Sequence, residues 1–218
     1  RVRDWSSDVC SSDLSQPQRY MDKFSYAIGL GIGQNLLSMG AKGIKVDDFA
    51  QAIKDILEGN KTAISHAEAR DIVNKYFAEL EEKMNAASIE QGVQFLEENK
   101  KRPNVVTLPS GLQYEVINEG KVGTYAKATD QVKCHYEGTL IDGTLFDSSI
   151  KRGQPAVFGV NQVIPGWVEA LQLMPEGAKW KLYIPSDLAY GAQGAGEMIP
   201  PHSTLIFEVE LLEILSQK

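Results

Sequence analysis

The sequence predicts an α+β chain in which a helical first half leads, through a long helix, into a second half of antiparallel sheet. Three observations predict it. Apolar residues recur every third or fourth position from Asp22 to about Gln91, and every second position beyond Leu112. Pro103 lies where the period changes, and the residue before a proline is pushed out of the α region. Turn-forming segments, Asp142-Gly143, Pro175-Glu176-Gly177 and Tyr190-Gly191, cut the second half into short runs.

The helical half reads as three helices. Phe24, Ile28, Ile32 and Leu36 are spaced by four and mark one face of the first. Gly29, Gly31 and Gly33 interrupt it. Their spacing is not the G-x-G-x-x-G of a dinucleotide loop and no strand precedes them, so close helix packing is their expected use. The second helix is expected to start at Asp47 as N-cap, to bury Phe49, Ile53, Ile56 and Leu57, and to stop at Gly59. Ser65-His66-Ala67-Glu68 has the form of a capping box and opens the third. With no proline before Pro103, that helix can run about 36 residues, or ~54 Å at ~1.5 Å per residue. Val73, Phe77, Leu80, Met84 and Ala87 form a seam suited to another helix. Its far end is charged from Glu97 to Arg102, as expected of a helix that spaces two bodies apart.

In the second half, alternation places Leu112, Tyr114 and Val116 on one face of a strand. Val132, Cys134 and Tyr136 do the same on another, as do Trp180, Leu182 and Ile184, and then Leu205, Phe207, Val209 and Leu211. One helical stretch, Trp167 to Met174, follows Pro165-Gly166. The expected domains are residues 21–102, helical and including the long connector, and residues 103–218.

Composition excludes several function classes. Lys+Arg 22 against Asp+Glu 29 gives a formal net charge of −7, and neither half is basic, so no nucleic-acid partner is expected. The sequence has no apolar run long enough to span a bilayer, so no membrane insertion is expected. Two cysteines, Cys10 and Cys134, are too few for a disulfide framework, and Cys134 reads as a small buried apolar residue. His66, His135 and His202 show no metal-ligand spacing, so neither metal nor cofactor is expected. Residues 1–20 have no helical or strand period and no apolar core of a signal peptide. They resemble a translated sequencing-adapter read-through, and are expected to be foreign or disordered, with Met21 as the natural start. On that reading the chain is cytoplasmic; a lost signal peptide would make it periplasmic.

Three segments of the second half combine aromatic and turn residues. Tyr136-Glu137-Gly138-Thr139-Leu140 runs to Asp142-Gly143-Thr144-Leu145-Phe146-Asp147-Ser148-Ser149. Val163-Ile164-Pro165-Gly166-Trp167 follows. The third comprises Ala189-Tyr190-Gly191 and Ile199-Pro200-Pro201-His202-Ser203-Thr204-Leu205-Ile206-Phe207. An aromatic cluster on strands is ordinarily just core, so the case rests on the set. In this order and spacing the segments closely resemble the FKBP family of prolyl isomerases, over roughly residues 105–214. The helical half resembles the dimerisation domain of the bacterial macrophage-infectivity-potentiator-like members.

The resemblance implies an antiparallel sheet wrapped around one short helix, and an enzyme that speeds rotation about X–Pro bonds and assists folding. It places Tyr136, Phe146, Asp147, Trp167 and Tyr190 as catalytic residues. Phe158, Val163, Ile164, Ile199 and Phe207 complete the substrate pocket, with Arg152 bracing Asp147 and Tyr136. Trp167 would be the floor under the proline ring, while Ile164 N–H and the Tyr190 hydroxyl would meet substrate carbonyls. The implied partners are proline-containing unfolded polypeptides, a second copy bound through residues 21–85, and macrolide inhibitors of the rapamycin type. Ala156 and Met198 depart from the commonest eukaryotic pattern, which has phenylalanine and isoleucine there. The alternative function is a dimeric holdase chaperone with a secondary isomerase pocket. No Ser/His/Asp order, paired cysteines or phosphate loop supports a hydrolytic or redox enzyme.

Overall fold

The structure is a computed structural model that describes residues 21–215. The expectation of a foreign or disordered segment at residues 1–20 lies outside the described residues. The first half forms α1 (Lys23–Ser38), α2 (Val46–Glu58) and α3 (His66–Asn99). Asp22 caps α1 by accepting a 2.8 Å hydrogen bond from Ser25 N–H. Helix α1 runs unbroken through Gly29, Gly31 and Gly33, and within one chain a Cβ at any of them would meet nothing within 4 Å. The close packing expected there is therefore not made among the described residues.

The N-cap of α2 is Lys45, not Asp47, and no side chain caps it. Asp47 and Asp48 sit inside the first turn instead, where carboxylates offset the positive end of the helix dipole. Gly59 ends α2 in the left-handed conformation. Ser65 Oγ accepts from Glu68 N–H at 3.2 Å, the first half of the capping box that opens α3. No residue of α1 or α2 is buried. Phe24, Ile28, Ile53, Ile56 and Leu57 are exposed, and so are Val73 and Met84 of the expected α3 seam. No helix among the described residues is long and apolar enough to cross a membrane.

Among the described residues the chain forms two compact units that meet between Ile72 and Val73, inside α3. The second unit holds β1 (Val106–Thr107), β2 (Gln113–Asn118), β3 (Lys121–Tyr125), β4 (Gln131–Leu140) and β5 (Leu145–Ser148). After them come β6 (Ala156–Gly159), α4 (Pro165–Leu173), β7 (Pro175–Glu176), β8 (Lys179–Ile184) and β9 (Leu205–Leu215). The main sheet is antiparallel in the order β1-β2-β8-β9-β4-β5, with β6 also on β4; β3 and β7 form a separate pair. Strand β4 is central. It pairs with β9 along its whole length, and with β6 and β5 in succession on its other edge.

The alternation places Val132, Cys134 and Tyr136 of β4 inward, on the same sheet face as Trp180, Leu182 and Ile184 of β8 and Leu205, Phe207, Val209 and Leu211 of β9. Helix α4 covers this face with Gly166, Trp167, Ala170 and Leu171, one side of its surface. Each fully buried Leu, Ile or Met of this cluster contributes roughly 1.5–3 kcal/mol. Pro165 in the first turn of α4 sets its start. A Cβ on Gly166 would come within 2.6 Å of Ile184 Cγ2, so glycine is what lets α4 lie this close to the sheet. Val116 differs from the expected alternation. It is exposed, because the β2–β8 register shifts between Val116 and Asn118 and the strand leaves the core.

The outer face carries the end of α3, within the same unit. Asn99 is buried and donates to Gln113 Oε1 at 2.9 Å, and Gln113 Nε2 donates to Leu96 O at 2.9 Å. Arg102, just past the helix, donates to Asn99 Oδ1, Tyr183 Oη and Glu115 Oε1 at 2.8–2.9 Å. Phe95 packs on the Tyr183 ring with centroids 6.0 Å apart.

Candidate active site

Between the inner face of the sheet and the N-terminal end of α4 lies a cavity of about 610 Å³. Its floor is Trp167, in the first turn of α4. Three rings stand edge-on to this indole: Tyr136 at 5.3 Å, Phe158 at 5.5 Å and Phe207 at 5.2 Å between centroids, with interplanar angles of 83–86°. Edge-to-face contacts place positive ring edges on negative ring faces and are worth ~0.5–1.5 kcal/mol each beyond burial. Phe146 extends the wall by meeting Phe207 at 5.4 Å and 84°. Gly138 makes that meeting possible, since a Cβ there would lie 2.6 Å from Phe146 Cζ and 2.7 Å from Phe207 Cε1.

One polar cluster breaks the apolar lining. Tyr136 donates its hydroxyl to Asp147 Oδ2 at 2.5 Å. Arg152 donates to Tyr136 Oη at 2.8 Å and forms an ion pair with Asp147 Oδ1. Its guanidinium also sits 5.6 Å from the centre of the Tyr136 ring. The turn after β5 delivers Arg152: Arg152 N–H bonds to Ser148 O at 3.4 Å, and Gly153 takes the positive φ that closes it. Ser149, fully buried, fixes the Tyr136 backbone. It accepts from Tyr136 N–H at 2.8 Å and donates its hydroxyl to Tyr136 O at 3.2 Å.

These contacts set the charges. Burial alone would raise the Asp147 carboxyl, but hydrogen bonds from Tyr136 and Arg152 outweigh it and hold Asp147 below the usual carboxylate range. Burial, then the bond to Asp147, pushes the Tyr136 hydroxyl up. Hydrogen bonds to Asp147 and Tyr136 raise Arg152 further. The cluster is thus a neutral phenol, a carboxylate and a guanidinium. Cys134, beneath the sheet, is pushed up to about 12 by burial and stays a thiol.

Every residue expected at the site lines this cavity except Arg152, which is not among the lining residues and braces Asp147 and Tyr136. Tyr136 comes from β4, Phe146 and Asp147 from β5, Phe158 from β6 and Phe207 from β9. Val163 and Ile164 form the approach to α4. Ile164 is its N-cap, so its N–H precedes the helix's own ladder. Tyr190 (41% exposed) and Ile199 come from the loop between β8 and β9. Met198 lines the cavity, whereas Ala156 does not; it pairs with Cys134 on β6. The sequence reading missed Gln162 and Ala195, which also line it. Gln162 immediately precedes Val163-Ile164, a signal that was available; Ala195 carries none, since its place depends on bridging Ile199 across the loop.

The cavity thus combines an indole floor, edge-on aromatic walls and one braced carboxylate, a lining that is apolar except at a single point. A family model described as FKBP-type peptidyl-prolyl cis-trans isomerase matches residues 123–212, and one described as the domain amino terminal to it matches residues 21–116. The FKBP-type 22 kDa peptidyl-prolyl cis-trans isomerase of Escherichia coli is 50% identical, over 88% of this chain and 94% of that protein. The outer membrane protein MIP of Legionella longbeachae is 40% identical, over 96% of this chain and 92% of that protein. The crystal structure of FkpA from Escherichia coli superposes with a TM-score of 0.73 at 34% identity, covering 89% of this chain and 96% of that one. The chain belongs to the FKBP-type peptidyl-prolyl cis-trans isomerase family. It is an enzyme that accelerates rotation about X–Pro bonds in polypeptides.

The carboxylate makes a direct prediction. A depressed folded-state pKa stabilises the native cluster above the unfolded carboxyl's value of about 3.9, and that stability is lost as pH falls through the lower folded value. Carbon NMR of the Asp147 side chain should therefore give a midpoint below ~3.9, moving upward in Arg152→Gln. A native midpoint at or above ~3.9 would show that the bracing does not hold the charge.

Proposed function

We propose that this cavity is where the X–Pro bond turns, with the proline ring on Trp167 and the polypeptide held at either side. The carrying observation is the indole floor with three rings standing edge-on to it. Amide resonance sets a barrier of ~18–20 kcal/mol. No bond to the substrate need form or break, so no nucleophile is required. The twisted amide has lost resonance and its carbonyl is less dipolar than in the planar ground state. Transfer from water into an aromatic cavity therefore costs the twisted form less, and the difference lowers the barrier. Ile164 N–H and the Tyr190 hydroxyl hold flanking carbonyls, so that the chain turns at the bond between them. Asp147 and Arg152 fix the Tyr136 ring as one wall. About 4 kcal/mol of differential stabilisation corresponds to roughly a thousandfold in rate. The substrates are proline-containing unfolded or partly folded chains.

Asp147→Ala leaves the Tyr136 hydroxyl without its acceptor and Arg152 without its ion pair. It should lower kcat/KM on a short X–Pro peptide by about tenfold, or ~1.4 kcal/mol in barrier, with little change in thermal stability. Wild-type turnover in a folded Asp147→Ala protein would remove Asp147 from the machinery.

We further propose residues 21–102 as a dimerisation part and 103–218 as the isomerase part. What supports this is the unburied apolar surface of α1 and α2, where Phe24 is 73% and Leu57 80% exposed. Large apolar side chains left exposed in this number mark an interaction surface, and a twofold pairing is the usual form of self-association. Of the two compartments weighed above, the name of the Legionella relative favours the exported one. Sedimentation of the full chain at micromolar concentration should give a dimer, and Ile28→Asp a monomer; a monomeric native chain would contradict the assignment.

A further inference from the structure

The loop of residues 189–204 carries Tyr190 and Ile199 to the cavity, and it is bonded within itself. Ala195 and Ile199 exchange both backbone hydrogen bonds, at 2.9 and 3.1 Å. His202 N–H donates to Gly191 O at 2.8 Å, and Ser203 Oγ to Pro200 O at 2.6 Å. Gly194 has positive φ, and a Cβ there would fall 2.3 Å from Ile199 O. A loop so tied shifts as one piece. Its position relative to the sheet then needs an external stop.

Helix α3 provides one. Ser88 Oγ donates to His202 O at 3.3 Å. One turn further, a Cβ on Gly92 would lie 2.5 Å from Thr204 Oγ1 and 3.5 Å from Thr204 Cβ. Gly92 and Thr204 are both buried. Glycine in a helix interior disfavours the helix, so its place here is explained by the close approach it permits. His202 is the one non-glycine residue with positive φ among the described residues, and it is held from both sides, through its N–H by Gly191 and through its carbonyl by Ser88. The Ser88 contact thus reaches the neighbour of Tyr190 through His202 and Gly191, and the Gly92 contact fixes Thr204, the last residue of the loop.

We propose that Ser88, Gly92 and Thr204 are positioning residues for the isomerase reaction, seating the loop that carries Tyr190 and Ile199. The inference rests on the assignment of the cavity as the active site. Trp167, Tyr136 and Asp147 stand on other elements and are untouched by a shift of this loop. Tyr190 and Ile199 bind the chain on either side of the turning bond, so displacing them weakens ground state and transition state alike. The loss falls in KM and not in kcat.

The test measures kcat and KM on a short X–Pro peptide with the full-length protein. Gly92→Ala should raise KM by about fivefold with kcat held within about twofold. Alanine's helix preference offsets part of the cost of the close contact, so the melting temperature should fall by no more than a few degrees. Adding Thr204→Ala removes the hydroxyl that the new Cβ meets and should restore KM. An unchanged KM in Gly92→Ala, or a loss that Thr204→Ala does not restore, overturns the proposal. If Gly92→Ala is too unstable to assay, Ser88→Ala decides. A KM rise of about twofold, with faster amide exchange at His202, supports the seating, and wild-type values overturn it. Asp147→Ala in the same assay separates the two levels. If it loses activity while the α3 variants do not, only the seating fails; if none changes, the cavity assignment fails.

Discussion

Tyr136 is the point at which backbone, core and site meet. Its backbone lies in the middle of β4, paired with Val209 of β9 on one side and tied to Ser149 on the other. Its ring meets Trp167 edge-on, and its hydroxyl bridges Asp147 and Arg152. A shift of β4 would therefore move the floor contact and the polar wall together. The same residue is both core and cavity wall, so the cavity needs no separate scaffold. The stability of the sheet sets the precision of the site.

The second unit uses the same side-chain chemistry twice. On the inner face a tyrosine, an aspartate and an arginine brace the cavity. On the outer face Tyr183 donates to Glu115, and Arg102 donates to both. There the cluster clamps the end of α3 against β2 and β8, and burial followed by the bond to Glu115 pushes the Tyr183 hydroxyl up. The alternation of β8 separates the faces: Trp180, Leu182 and Ile184 point to the core, and Tyr183 lies under the helix end. Half of each Arg side chain is exposed to solvent, so each cluster owes its value to fixed geometry more than to Coulomb energy.

Much of this is legible in the sequence. Period-two runs gave β4, β8 and β9, and Pro165-Gly166 before Trp167 marked α4, because local chain chemistry decides these elements. The three aromatic segments were legible as a set, since each ends at a strand or helix terminus that opens on the cavity. Other features depend on approaches between distant residues. Gly138 under two rings, Gly166 against Ile184 and Gly92 against Thr204 are all explained by what would collide with a Cβ, which no single segment reveals. The N-cap of α2 was misplaced because Asp47 satisfies the helix electrostatically from inside its first turn. Periodicity showed that α1 and α2 have apolar faces, but not that they stay uncovered in one chain.

Catalysis by desolvation and placement moves no proton as the barrier is crossed. The solvent isotope effect tests that most directly. Measured on kcat/KM with a short X–Pro peptide in heavy and ordinary water, the ratio should be about one, because no acid or base transfers a proton in the transition state. A ratio of about two or more, abolished in Tyr190→Phe, would contradict it and make the phenol a general acid.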